Sequence, residues 1–176
     1  MTVCANDWRD VWGKVRGGDV SLNDLGLIIE DCWENIPAHF PHVRLDQFCV
    51  MPNHLHGILL FTDTGRGTIY RAPTEALSGT VGIDSPSEAG KEQFSQPVAG
   101  SLPTVIRTFK AAVTRYARSI REHGDFKVWQ RGYYERVIRD ERELEEVRKY
   151  IANNPAKWDL DIENPAVRTK ESLGTH

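Results

Sequence analysis

Leu25, Ile28, Ile29, Cys32 and Trp33 recur every three to four positions and predict a helix from about Leu25 to Asn35. Asn23 or Asp24 stands where its N-cap belongs, and Pro37 and Pro41 break the chain after it. The pattern then turns strand-like near Val43 to Val50 and again from His54 to Phe61, and the tight Pro52-Asn53 turn between the two runs is a hairpin signal. From Thr62 to Gly100 the chain is rich in Gly, Ser, Thr and Pro. It reads as one long, partly disordered loop inserted at 62-100. Helical spacing resumes with Val105, Phe109, Ala112, Val113, Tyr116 and Ile120, predicting a helix from about Leu102 to His123. Val128 to Arg139 is strand-like. Asp140, with Glu143 three positions on, opens a last helix whose core face is Leu144, Val147 and Ile151 and which Pro155 ends. A short strand at Thr2 to Ala5 precedes them all.

The order strand, helix, strand, strand, helix, strand, helix fits an α+β fold: an antiparallel sheet with helices packed on one face. One domain over residues 1-160, followed by a polar tail at 161-176, accounts for the 176 residues. Trp8, Trp12 and Trp33 are expected in its core. With 40% hydrophobic and 27% charged residues the composition is that of a soluble globular protein, and no apolar run approaches a membrane span. No secretory signal is visible. Three widely spaced cysteines give neither a disulfide framework nor a Cys-based zinc site, so a reducing cytoplasm is the expected compartment.

A formal net charge of -3 does not advertise a nucleic-acid binder, but its distribution is uneven. From Ser101 to Arg121 no Asp or Glu occurs, while Arg107, Lys110, Arg115, Arg118 and Arg121 do. Placed on the flanks and outer face of the predicted helix, these cations suit phosphate contact as well as an ordinary solvated face.

The candidate chemistry starts at His54-Leu55-His56. Two histidines one residue apart on a strand point to the same face, and neutral imidazole is the commonest metal ligand among side chains. Taken alone, the pair is more often two ordinary strand residues with satisfied rings than half of a metal site. On the last helix Tyr150 and Asn154 are four apart and share a face. His54, His56 and Asn154 would supply two nitrogens and one oxygen with positions left open, a set that suits Mg²⁺ or Mn²⁺ held together with a substrate phosphate. Tyr150 would then be a nucleophile toward phosphorus rather than a packing residue. Tyr133 and Tyr134 are rivals for that role.

His54-Leu55-His56 behind Met51-Pro52-Asn53 resembles the histidine-hydrophobic-histidine motif of the single-tyrosine transposases of the IS200/IS605 type. Trp129-Gln130-Arg131-Gly132-Tyr133-Tyr134-Glu135, Ile138-Arg139-Asp140, and Tyr150-Ile151 followed by Asn154-Pro155 resemble the C-terminal signature of the REP-associated subgroup. The matching segments run from about Leu22 to Trp158. The resemblance implies a ferredoxin-like, RRM-like fold, with His54 and His56 as metal ligands and Tyr150 as nucleophile. It implies Asn154 at the family's third ligand position. It also implies cleavage and rejoining of single-stranded DNA beside imperfect hairpins, by a monomer or a homodimer. The first strand is short for that family, which leaves a relative that only binds hairpins as the alternative.

Overall fold

The structure, a computed structural model, describes residues 1–62, 98–120, 127–161, 163–165 and 167, and the Trp8 side chain is not among what it describes. Most of the expected 62-100 loop, the end of the helix expected to reach His123, and most of the 161-176 tail lie outside the described residues.

The expected antiparallel α+β arrangement is present. β4 (Val43–Val50) and β5 (His54–Phe61) form the hairpin, and β1 (Thr2–Cys4) pairs antiparallel on the far side of β5, giving the order β1-β5-β4. Beyond β1 the stretch expected as a strand over Val128 to Arg139 adds only two isolated bridges, Thr2 with Tyr134 and Ala5 with Trp129. Gly132, at φ +79°, turns the backbone between these bridges and prevents a continuous ladder. A second hairpin, β2 (Gly13–Arg16) and β3 (Asp19–Leu22), was not expected. Its two-residue turn, Gly17-Gly18, has positive φ at both positions, the geometry whose twist matches paired strands.

α1 (Asp24–Glu34) is capped by Asn23, whose Oδ1 accepts from the Leu25 and Gly26 amides. A short α2 (Ile36–His39) leads into β4. α3 (Leu102–Ile120) buries Val105, Ile106, Phe109, Val113 and Ala117. The buried row thus advances from 105 by fours. Tyr116 and Ile120, expected on the core face, belong to the neighbouring row and are exposed. α4 (Glu141–Ala152) starts at Asp140, whose Oδ1 accepts from the Glu143 amide at 2.8 Å, and is followed by a 3-10 turn, Pro155–Leu160.

The sheet has two unlike faces. Val3, Leu55 and Val50 lie in register and point into the apolar core with Trp12, Trp33 and Phe109. Gly57 lies on that face too, and there the Trp33 ring of α1 packs directly on the β5 backbone. Thr2, Cys4, His54, His56 and Cys49 point the other way. The layering is fuller than expected from the sequence: α1 and α3 cover the core face, while α4 lies over the histidine face, clasped to β4 by Arg148. The Arg148 Nε and Nη2 donate to the two carboxylate oxygens of Asp46 at 2.9 and 2.7 Å. Asp46 sits where the β4–β5 register shifts, between Leu45 and Phe48.

Candidate active site

Buried polar side chains are costly unless they are satisfied or used. Among the described residues there are five, Asn53, His54, His56, Asn154 and Asn164, and they gather around the histidine face. The turn that carries them is held from outside. The Asn53 carbonyl accepts from the Ala5 amide at 2.7 Å and the Pro52 carbonyl from the Trp12 amide at 2.9 Å. β5 then presents His54 and His56 side by side, ring centroids 4.5 Å apart. Leu55 between them anchors the strand in the core.

The hydrogen bonds fix which ring nitrogen of His54 is bare. The Asn53 amide nitrogen donates to the Glu163 carbonyl at 2.7 Å, so its oxygen faces the His54 ring. An amide oxygen only accepts, so His54 Nδ1, 2.9 Å away, carries the proton and Nε2 carries a lone pair. That Nε2 is buried and without a hydrogen-bond partner. Asn154 is set in the same way: Nδ2 faces Asp161 Oδ2 at 3.4 Å, leaving Oδ1 buried and without a partner. The Asn154 carboxamide lies near enough to favour a protonated His54, yet no hydrogen bond closes between them. His56 Nδ1 lies 2.8 Å from the Thr2 hydroxyl, and its Nε2 lies 3.5 Å from the Tyr150 hydroxyl. Tyr150 is 51% exposed, so its ring stands at the mouth of the cluster, 5.3 Å from the His56 ring. Trp158 closes the other side, 6.0 Å from His54.

Burial pushes His54 down to about 4, an effect Asn154 partly offsets. Burial, and then the neighbouring His54, push His56 down to about 3 against the pull of Asp161. Both rings are therefore neutral near pH 7, the state a metal ligand needs. Burial, with the charges of Asp161 and Glu163, raises the Tyr150 phenol above its ordinary value, and Asn154 works the other way. Among the described residues no three His, Cys, Asp or Glu side chains converge in a way that could hold a metal ion. The convergent set is instead two imidazoles and a carboxamide, with bare acceptors at His54 Nε2 and Asn154 Oδ1.

Of the residues predicted from the sequence, His54, His56, Tyr150 and Asn154 are thus brought together. The basic residues are not with them. Arg107, Arg115 and Arg118 are exposed on α3, whose core contacts, such as Phe109 with Trp33, are on the opposite face of the sheet. Lys110, expected among the outward cations, turns inward. It donates to the carbonyls of Gln130 and Gly132 at 2.8 and 2.7 Å and stands over the Trp129 ring at 5.6 Å. The apolar stem and the two orphan carbonyls of the turn at Gly132 account for that choice. Tyr133 packs against the core and Tyr134 is exposed beside β1. Thr2, Asn53 and Asp161 complete the site and were not singled out by sequence. Only Asn53 carried a signal, by adjoining the histidine pair.

The sequence is similar to a protein of Haemophilus influenzae: 37% identical over 162 residues, spanning 92% of this chain and 81% of that one. The chain belongs to the family of this Haemophilus protein. The relative is described only as an uncharacterized protein, so the chemistry of the family is read from the site. No protein-family model matches the chain, and no solved structure matches it. Among the described residues no helix is long and apolar enough to cross a membrane.

Proposed function

We propose that the chain is a metal-dependent DNA strand transferase of the single-tyrosine transposase type, closest in kind to the REP-associated enzymes that its motifs resemble. Tyr150 is the nucleophile, and His54, His56 and Asn154 hold Mg²⁺ or Mn²⁺. The observation that carries the reading is the pair of buried, bare acceptors, His54 Nε2 and Asn154 Oδ1, in one cluster with His56 and the Tyr150 hydroxyl. Two lone pairs shut away from water without a donor are unfavourable, by about 1–3 kcal/mol each, unless a cation sits between them.

In the reaction, the Tyr150 oxygen attacks the phosphorus of a DNA phosphodiester as its proton leaves to solvent through the exposed side of the ring. The bond from phosphorus to the 3′ oxygen breaks, and that oxygen leaves as a 3′-hydroxyl after taking up a proton. The 5′ phosphate stays on Tyr150 as a phosphodiester, and a 3′-hydroxyl attacking it later restores the phenol and joins the strands. A divalent ion, when bound, would polarise the phosphate and offset the Asp161 and Glu163 charges, which add to burial in raising the phenol. β5 fixes the two imidazoles rigidly, and α4, clasped by Arg148, sets the height of Tyr150 above them. The partner is single-stranded DNA bearing a REP-like hairpin, met in the cytoplasm by a monomer or a homodimer. Arg107, Arg115 and Arg118 form a separate surface for its backbone.

The test incubates the protein with hairpin-bearing single-stranded DNA and Mn²⁺ and looks for a covalent protein–DNA adduct on a denaturing gel. Wild type is expected to form it, chelation by EDTA to abolish it, and Tyr150→Phe to lack it. An adduct undiminished in Tyr150→Phe sinks the assignment of the nucleophile. Hairpin binding by wild type with no adduct at all would leave the binding-only alternative standing instead.

A further inference from the structure

The chain beyond α4 returns to the site and touches both ends of the ligand set. Asp161 Oδ2 faces the Asn154 amide nitrogen at 3.4 Å, while its Oδ1 accepts from the Glu163 backbone amide at 2.8 Å. The Glu163 carbonyl in turn accepts from Asn53 Nδ2 at 2.7 Å, and the Asn53 oxygen accepts from His54 Nδ1 at 2.9 Å. Asn164 Nδ2 ties the same segment back to the Trp158 carbonyl at 2.9 Å, and Trp158 packs beside His54. A single hydrogen-bonded path therefore runs from Asn154 through Asp161, Glu163 and Asn53 to His54. Each link has a defined direction, because a carboxylate and a carbonyl only accept and an amide nitrogen only donates.

We infer that Asp161 is a positioning residue of the metal site, and that Asp161 and Glu163 together brace it, presenting Asn154 Oδ1 and His54 Nε2 to the same cation. The inference rests on the metal reading above. Without an acceptor at 161 the Asn154 amide has no reason to keep its nitrogen outward, and a half-turn about its last bond would put N–H groups where the cation needs an oxygen. Without the Glu163 carbonyl the Asn53 amide loses the partner that turns its oxygen toward His54, and with it the tautomer that bares Nε2. Outer partners of this kind typically change metal affinity by about 10- to 100-fold. Asp161 touches none of the reacting atoms, so its effect should appear in affinity for the ion.

The experiment titrates Mn²⁺ into the full chain without DNA, by calorimetry or by the loss of the free-ion paramagnetic resonance signal. Thermal unfolding of the metal-free protein is measured alongside. Asp161→Ala and Asn53→Ala are expected to weaken Mn²⁺ binding by about 10-fold or more. Asp161→Asn keeps an acceptor oxygen and should lose less. Adduct formation by Asp161→Ala should recover at high Mn²⁺, whereas Tyr150→Phe should not recover. If wild type takes up Mn²⁺ and all three brace variants take it up equally well, the brace is wrong and the metal reading survives. If wild type takes up none, the metal reading falls and the brace with it. Losses of affinity that merely track losses of metal-free stability across the three variants would also overturn the inference, since they would mark a general structural role.

Discussion

Gly57 lies between His56 and Ile58 on β5, where the Trp33 ring rests on the bare backbone. A Cβ added there would stand 2.3 Å from Trp33 Cζ2, 2.9 Å from Cη2 and 3.0 Å from Cε2. Ordinary carbon contacts lie at about 3.5–4 Å, so ring or strand must move by roughly 1 Å. Trp33 is completely buried, with Phe109 edge-on at 5.4 Å between centroids and Phe48 tilted against it at 6.2 Å, so it has nowhere to retreat. Overpacking costs about 1–3 kcal/mol, and a rigid neighbour puts Gly57→Ala at the upper end, about 3 kcal/mol. For a chain of this size that is a drop in melting temperature of about 6–12 °C. Scanning calorimetry of the metal-free protein measures it. Trp33→Leu vacates the space, so Gly57→Ala in that background should cost less than about 1 kcal/mol, a coupling of about 2 kcal/mol. Mn²⁺ affinity should fall in Gly57→Ala as well, because the strand that moves carries His56. A melting temperature within about 2 °C of wild type, or an equal cost in both backgrounds, would refute the close packing of α1 on β5.

Lys110→Met should lower stability by about 2 kcal/mol through the loss of two charge-assisted bonds to carbonyls, while leaving the salt dependence of hairpin binding unchanged. Arg107→Ala, Arg115→Ala and Arg118→Ala should do the reverse. Each is expected to lower the slope of log affinity against log salt by about 0.7–0.9 with little change in melting temperature, and a flat slope through the series would remove these residues from the DNA surface. The Asp46–Arg148 clasp has a pH signature. Asp46 is held below the usual carboxylate range, chiefly by the hydrogen bonds from Arg148. A carboxyl depressed in the fold adds stability that is complete above its unfolded pKa, about 3.9, and is lost as pH falls through the folded value. The gap in urea midpoint between wild type and Arg148→Ala should therefore be full at pH 7 and shrink below pH 4. A gap that does not change with pH would mean that the pair carries no such coupling.

The sequence was legible where one physical constraint dominates a local stretch. Val43–Val50 and His54–Phe61 are dense apolar runs bounded by Pro52-Asn53, and both strands run where that pattern predicts. Asn23 and Asp140 cap their helices because a side-chain oxygen beside orphan amides is a local solution. The β2–β3 hairpin is equally local: Gly17-Gly18 between Val15 and Val20 is a two-residue turn signal. The stretch from Val128 to Arg139 failed for another reason. It is rich in aromatic and β-branched residues, as strands are, but its backbone is bent by Gly132 and held by Lys110 from α3. No local pattern reports such a partner. Asp161 is the extreme case. It stands in a polar stretch without periodicity, and its role exists only through contact with Asn154 and a backbone amide two residues on.

The choice between a satisfied core and a metal site turns on what the polar atoms lack. A histidine buried for packing alone is stabilised by partners on both ring nitrogens, as the rule for buried polar groups requires. His54 has one partner and a bare, buried Nε2. Asn154, the other orphan in the cluster, stands just past the end of α4 at the start of the 3-10 turn and not on the helix itself, with its buried Oδ1 bare. Replacing Asn154 with leucine should therefore stabilise the metal-free protein if the cluster is only structural. If Asn154 Oδ1 is a ligand, the same substitution should remove Mn²⁺ binding while raising or leaving unchanged the melting temperature measured in EDTA. The two readings differ in sign only when both measurements are made, because the metal-free melting temperature alone moves the same way in each. A variant that melts higher in EDTA and no longer gains stability from Mn²⁺ would show that the buried carboxamide is kept at the expense of the core. A variant that gains as much from Mn²⁺ as wild type does would place the third ligand elsewhere.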